Sequence, residues 1–146
     1  MSISLEKVSY IYEDNSDIKK PALIDIDLEI GEGEFIGIIG HTGSGKSTLI
    51  QHLNGLMEPT KGRVYFEGKN IHDDNYDIKS LRGKVGLCFQ YPEHQLFETT
   101  ILEDVCFGPM NFGASKEEAV KAAKEALKDV GISEEHAVTF AGGLAA

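Results

Sequence analysis

The chain has 146 residues, 41% of them hydrophobic and 26% charged, which is enough apolar material for one buried core and too much for a disordered segment. Its formal charge is −10, and its fourteen lysines and arginines are scattered rather than gathered into a stripe. That balance argues against a nucleic-acid-binding face. The longest unbroken apolar runs are only a few residues, and no basic start leads into an apolar stretch, so neither a signal peptide nor a spanning helix is expected.

Ile3, Leu5 and Val8 open an alternating segment. Ile24, Ile26, Leu28 and Ile30 then alternate with Asp25, Asp27 and Glu29. The pattern predicts two half-buried strands joined through the polar residues 13–21. A turn, Gly31-Glu32-Gly33-Glu34, delivers the chain into residues 35–39, a continuous apolar run of the kind expected for a central strand covered on both faces. Directly after it stands Gly40-His41-Thr42-Gly43-Ser44-Gly45-Lys46-Ser47-Thr48, with the fixed positions of a phosphate-binding loop, followed by a helix-like stretch over residues 48–56.

Glycines at this spacing let the backbone curl until successive N–H groups converge on phosphate oxygens, while the following helix turns its positive end to the same anion. Lys46 then reaches the outer phosphates, and the Ser47 hydroxyl is placed to ligate Mg²⁺. The bland alternative is a glycine turn with a chance Lys-Ser; the apolar run before the loop and the helix after it oppose that. The expected ligand is a nucleoside triphosphate with Mg²⁺.

Downstream, residues 59–62 make a turn, residues 63–66 read as a strand, residues 68–70 turn again, and residues 78–81 form a single helical turn. Residues 85–89 are a second buried-strand candidate, ending at Gln90. From Tyr91 the strand signals stop. Thr100-Ile101-Leu102-Glu103 and Ser115-Lys116-Glu117-Glu118 both have capping-box spacing. The second box opens a helix whose apolar positions Val120, Ala123, Leu127 and Val130 follow a three-four rhythm stopped by Gly131. The expected organisation is an α/β core over residues 1–90, a helical subdomain over 91–140 and an atypical tail over 141–146. Cys88 and Cys106 are expected as buried free thiols, the acidic Asp73, Asp74 and Asp77 as a solvated loop, and the five histidines, which show no ligand spacing, as no structural metal site.

The order of phosphate loop, strand-end glutamine and helical segment resembles the nucleotide-binding domain of ATP-binding cassette transporters, over nearly the whole chain. The fold this implies is the α/β phosphate-loop type, a mixed sheet with an N-terminal antiparallel part followed by a helical subdomain, stopping short of the family's full length. The phosphate loop with Val85-Gly86-Leu87-Cys88-Phe89-Gln90-Tyr91-Pro92-Glu93-His94-Gln95-Leu96-Phe97, and Glu103-Asp104-Val105-Cys106-Phe107-Gly108-Pro109, is similar to the ATP-binding subunit of energy-coupling-factor transporters. Those are prokaryotic uptake systems for vitamins and for cobalt or nickel ions. The resemblance implies ATP and Mg²⁺ as cofactors. It gives Tyr12 the role of stacking on adenine, with Tyr10 the lesser candidate, and gives Gln90 contact with Mg²⁺ and the attacking water. It implies three protein partners: a transmembrane energy-coupling subunit, a substrate-binding membrane subunit and a second ATP-binding subunit. Residues 91–112, with Tyr91, Phe97, Phe107 and Phe112, would receive the membrane partner; an ordinary helical lid is the other reading of those aromatics. The implied location is peripheral, on the cytoplasmic face of the membrane.

Phosphoryl transfer also needs carboxylates for the metal and the attacking water. The family carries them at the end of an aliphatic strand beyond the helical subdomain, with a later histidine, and this sequence stops first. Ile101-Leu102-Glu103-Asp104 imitates that strand end but has the acidic order reversed and a helix cap in front of it. Where the family has its Leu-Ser-Gly-Gly-Gln loop, this sequence reads Phe140-Ala141-Gly142-Gly143-Leu144-Ala145-Ala146. The expectation is therefore nucleotide binding without turnover by this chain alone. Two competing classes stay open: a non-hydrolysing binding module, and a soluble cassette ATPase of DNA repair or translation. A strand at residues 35–39 whose partners come later would leave backbone edges unpaired, making the isolated chain marginal in stability. Thermal unfolding of the nucleotide-free monomer is expected at or below the ordinary mesophile range, and a clearly higher midpoint overturns this.

Overall fold

The computed structural model describes residues 1–12 and 20–139, in two compact units, Met1–Leu87 and Cys88–Ala146. In the first unit four antiparallel strands form one sheet in the order β2-β1-β3-β4: β1 (Ile3–Tyr12), β2 (Lys20–Ile30), β3 (Lys61–Phe66) and β4 (Lys69–Asn70). Helices α1 (Lys46–Leu53) and α2 (Ile78–Lys84) complete it. The helix expected at residues 48–56 thus begins two residues earlier, and the single turn at 78–81 grows to seven residues because Asp77 caps it through the amides of Lys79 and Ser80.

Bulges decide which side chains reach the core. The register of β1 against β2 slips between Leu5 and Val8, where Lys7 adopts φ 47°, so that two residues three apart are both buried. Asp25 of β2, at φ 45°, does the same on the facing strand. Its amide donates to Ser9 Oγ at 2.9 Å, and the Lys7 amide donates to Asp27 Oδ1 at 2.8 Å. The phase of β2 therefore changes: Leu23 enters the core, and Ile24, expected among the half-buried residues, is 65% exposed. β3 runs close against the bulge. A Cβ on Gly62 would lie 2.3 Å from the Lys7 carbonyl oxygen, and its φ is +86°, so only glycine fits. Leu5, Val8, Leu23, Val64, Phe66, Ile71 and Leu81 form the core, with Leu49 and Leu53 of α1 packed against it.

The two runs expected as buried strands form no ladder. Residues 35–39 are without regular structure, and Phe35 and Ile39 are 101% and 98% exposed. Residues 85–89 also pair with nothing among the described residues, which leaves Cys88 exposed against expectation; Cys106 is buried as expected. A continuous apolar run signals the need for cover on two faces, but a strand exists only where another backbone supplies hydrogen bonds.

The second unit holds a 3₁₀ turn (Pro92–Gln95) and helices α3 (Ile101–Asn111), α4 (Lys116–Asp129) and α5 (Glu134–Ala137). Both expected capping boxes are present, Thr100 with Glu103 and Ser115 with Glu118. Buried Ala119, Ala123 and Leu127 form the inward stripe of α4, while Val130, expected to join it, is 72% exposed. The helix stops before Val130, and Gly131 at φ +81° reverses the chain. The Ile132 amide then returns to the Leu127 carbonyl at 2.9 Å, bringing Ile132 into the cluster instead.

Two histidines lie in the first unit with Nε2 buried and unbonded, His52 on α1 and His72 after β4. Burial lowers the pKa of each below the ordinary 6.5, and it outweighs the carbonyls of Thr48 and Glu58 near His52 and the Glu58 charge near His72. The unfolded chain binds these protons first, so stability is complete above pH 6.5 and falls as the pH drops toward the folded values. Urea midpoints are expected to decline from pH 7.5 to 5.5, and less so in a His52→Asn/His72→Asn variant. Glu118, held below its ordinary 4.5 by hydrogen bonds from Ser115, acts only under more acid conditions.

Candidate functional site

Helices α2 to α5 each begin with a side chain that accepts from their own free amides: Asp77, Thr100, Ser115 and Ser133. Helix α1 does not. Its N-cap is Gly45, at φ 87°, with no side-chain cap, and its first rung is the Leu49 amide to the Gly45 carbonyl at 2.8 Å. The first-turn N–H groups are thus left to whatever anion arrives, beside the positive end of the helix dipole.

The loop before the helix is held by its own lysine. Lys46 Nζ donates to the carbonyls of Gly40 at 2.7 Å and His41 at 2.8 Å, and to Ser44 Oγ at 3.3 Å. Within the loop the Ser44 amide bonds the His41 carbonyl at 3.2 Å, and His41 Nδ1 lies 2.8 Å from the Thr42 carbonyl. Gly45 passes so near the sheet that a Cβ on it would stand 2.5 Å from the Ala22 carbonyl oxygen. The loop is therefore seated on the first residues of β2.

Tyr12, the last residue of β1, meets it there. Its hydroxyl lies 3.0 Å from Thr48 Oγ1, and the residue is 45% exposed. Tyr12, Gly43, Gly45, Lys46, Ser47 and Thr48 line one hollow of about 520 Å³ together with Lys20, Pro21 and Ala22, a size in the range of small-molecule sites. Gly40, His41, Thr42 and Ser44 form the remainder of the loop. Lys20 is an additional cation at the hollow that the sequence did not single out; nothing in its local pattern distinguishes it from other surface lysines. Ser47 is exposed there, and among the described residues no cluster of three or more His, Cys, Asp and Glu could hold a metal by itself. The donor set thus suits a hard cation that arrives with phosphate oxygens.

Gln90 belongs to the second unit, where it is exposed in a bend before the 3₁₀ turn and not at a strand end as expected. Glu103 and Asp104 are engaged in fixing α3: Glu103 accepts from the Thr100 amide at 3.2 Å, and Asp104 accepts from the amides of Phe97 and Glu98, both at 3.2 Å. Residues 140–146 lie outside the described residues.

The family model for ABC transporters matches residues 23–145. The chain belongs to the ABC transporter family. It is 53% identical over 135 residues to the energy-coupling factor transporter ATP-binding protein EcfA2 of Caldanaerobacter subterraneus, covering 92% of this chain and 47% of that protein. To the EcfA2 of Lactococcus lactis it is 55% identical over 135 residues, covering 91% and 47%. The chain thus spans about half the length of the curated relatives it matches. Among solved structures it is similar to the dimeric ATP-binding cassette MJ0796 in a post-hydrolysis state with ADP and Pi, with a TM-score of 0.78 and 30% identity over 94% of this chain and 61% of that one. It also resembles cbiO1 of Clostridium perfringens, part of the ABC transporter complex cbiONQ, with a TM-score of 0.74 and 37% identity over 93% and 52%. The expected family and α/β phosphate-loop fold class both stand. No helix among the described residues is long and apolar enough to cross a membrane.

In this ABC cassette the close approach of Gly45 to the Ala22 carbonyl seats the loop on the sheet. Gly45→Ala forces a Cβ into that carbonyl at a left-handed φ. It is expected to cost about 1–3 kcal/mol in urea denaturation and to abolish phosphate-loop binding in calorimetry.

Proposed function

We propose that the chain is the nucleotide-binding part of the ATP-binding subunit of an energy-coupling-factor uptake transporter. The observation that carries this is the hollow in which the exposed Tyr12 ring meets Lys46, Ser47 and the uncapped first turn of α1. A base and a triphosphate are different chemistries, and this hollow offers a surface for each.

In this reading the amides of the loop from Gly40 to Thr48 receive the phosphates, and the Lys46 ammonium leaves its loop carbonyls to follow the outer ones. Ser47 holds Mg²⁺ jointly with phosphate oxygens, and the ion supplies charge neutralisation at the β- and γ-phosphates. Tyr12 stacks on adenine through its free face. Glu103 and Asp104 stay with α3, and in this reading the chain by itself binds without turnover. The complete protein pairs with a second ATP-binding subunit, hydrolyses ATP, and drives import of a vitamin or metal ion from the cytoplasmic face of the membrane.

The second unit supports the membrane partnership. Tyr91, Phe97, Phe107, Met110 and Phe112 are all at least 44% exposed, and Phe97 stands edge-on to Phe107 with centroids 4.7 Å apart. Apolar side chains at this density on a surface suit docking by a transmembrane energy-coupling subunit that itself engages the substrate-binding membrane subunit.

Calorimetry of Mg-ATP with the full chain tests the reading. Saturable binding is expected, lost in Lys46→Ala and weakened about five- to a hundredfold in Tyr12→Ala, with no steady-state phosphate release by the chain alone. Wild-type affinity in Lys46→Ala overturns the site, and phosphate release that survives Lys46→Ala belongs to a contaminant.

A further inference from the structure

His52 is fully buried on the helix that carries the phosphate loop, and with the Glu58 carbonyl near the ring its Nε2 still has no partner at hydrogen-bond geometry. A buried unpaired nitrogen destabilises a fold, so such a residue calls for a reason beyond filling space. Its neighbours supply one. Nδ1 lies 2.7 Å from the Thr48 carbonyl, which fixes the proton on Nδ1 and leaves the orphaned Nε2 as a lone pair. The imidazole meets the Tyr10 ring edge-on, with centroids 5.0 Å apart and planes at 72°. Tyr10 in turn meets Tyr12 at 4.9 Å and 87°. The Tyr12 hydroxyl closes the circuit at 3.0 Å from Thr48 Oγ1.

We propose that His52 is a positioning residue for the nucleotide base, fixing the Tyr12 ring through Tyr10 on one side and Thr48 on the other. Tyr12 ends β1 and is half exposed, so without these contacts its ring would be free to choose among rotamers. The circuit orders it before the ligand arrives, and the binding cost of ordering an aromatic platform is removed in advance. Burial keeps the imidazole neutral near pH 7, which suits a ring whose work is packing. An apolar side chain would fill the volume without the bond to Thr48. The proposal rests on the reading of Tyr12 as the base platform.

Calorimetry of the full chain with two ligands separates positioning from plain stability: Mg-ATP, which has a base, and inorganic tripolyphosphate, which has only the phosphates. His52→Asn and Tyr10→Leu are each expected to lower ATP affinity about two- to tenfold while tripolyphosphate affinity stays at the wild-type value. Tyr10→Leu carries the test if His52→Asn fails to fold. Equal losses for both ligands overturn the proposal and leave His52 a structural residue. Wild-type ATP affinity in His52→Asn alongside a weakened Tyr12→Ala also overturns it, with the base platform intact. Wild-type ATP affinity in Tyr12→Ala overturns the base platform itself, and this proposal with it.

Discussion

The close approach of Gly45 to the Ala22 carbonyl is the constraint on which the rest of the site depends. A loop of nine residues with three glycines has too much freedom to hold a cradle shape alone. Seating its last glycine against the first residues of β2 anchors the end where α1 begins. The lysine bonds to Gly40 and His41 then draw the other end back toward the helix. Because the end of β1 lies beside the start of β2, the same anchor brings the phosphate loop to the aromatic ring that terminates β1. Backbone geometry at one glycine thus sets the distance between the phosphate loop and that ring.

The orientation of that ring is decided farther upstream. Val8, Tyr10 and Tyr12 follow one another at a spacing of two, so they share a face of β1. Strict alternation from Ile3 and Leu5 would have given that face to Lys7, Ser9 and Ile11 instead. The bulge at Lys7 inserts the odd residue that changes phase, and the glycine at position 62 lets β3 pass over it. A left-handed lysine in a strand costs conformational energy, and here the result is that one sheet face carries core residues at one end and two tyrosines at the other.

What the sequence disclosed follows from how far each signal reaches. The phosphate loop, the two capping boxes and the glycine at position 131 act within a few residues, and each was legible as a motif with a mechanism. The bulges were not, because nothing in Lys7 or Asp25 announces a positive φ; so Ile24 was expected where Leu23 is found. Residues 35–39 and 85–89 failed for a different reason. Their apolar character is a local fact, whereas a ladder requires a second strand that local composition does not name. Val130 shows the same limit on a small scale, since the three-four rhythm continued one residue past the point where Gly131 turned the chain away. Of the residues that line the hollow, Tyr12, Lys46, Ser47 and the glycines stand in motifs the sequence offers; Lys20 and the circuit through Tyr10 and His52 appear only when three elements are brought together.

Polar groups are left unpaired in a pattern that follows this division of labour. Four helices satisfy their first amides with an Asp, Thr or Ser of their own, a local remedy that costs one residue each. The helix after the phosphate loop has glycine in that place, and its inward face carries Thr48 and His52 where leucines would bury more apolar surface. A cap at Gly45 would compete with an anion for the same N–H groups, and a hydrocarbon at position 52 would have nothing to offer the Thr48 carbonyl. Stability has been withheld from α1 at its open end, where the uncapped first turn borders the hollow, and at its buried face, where His52 leaves Nε2 unbonded while Nδ1 holds the Thr48 carbonyl.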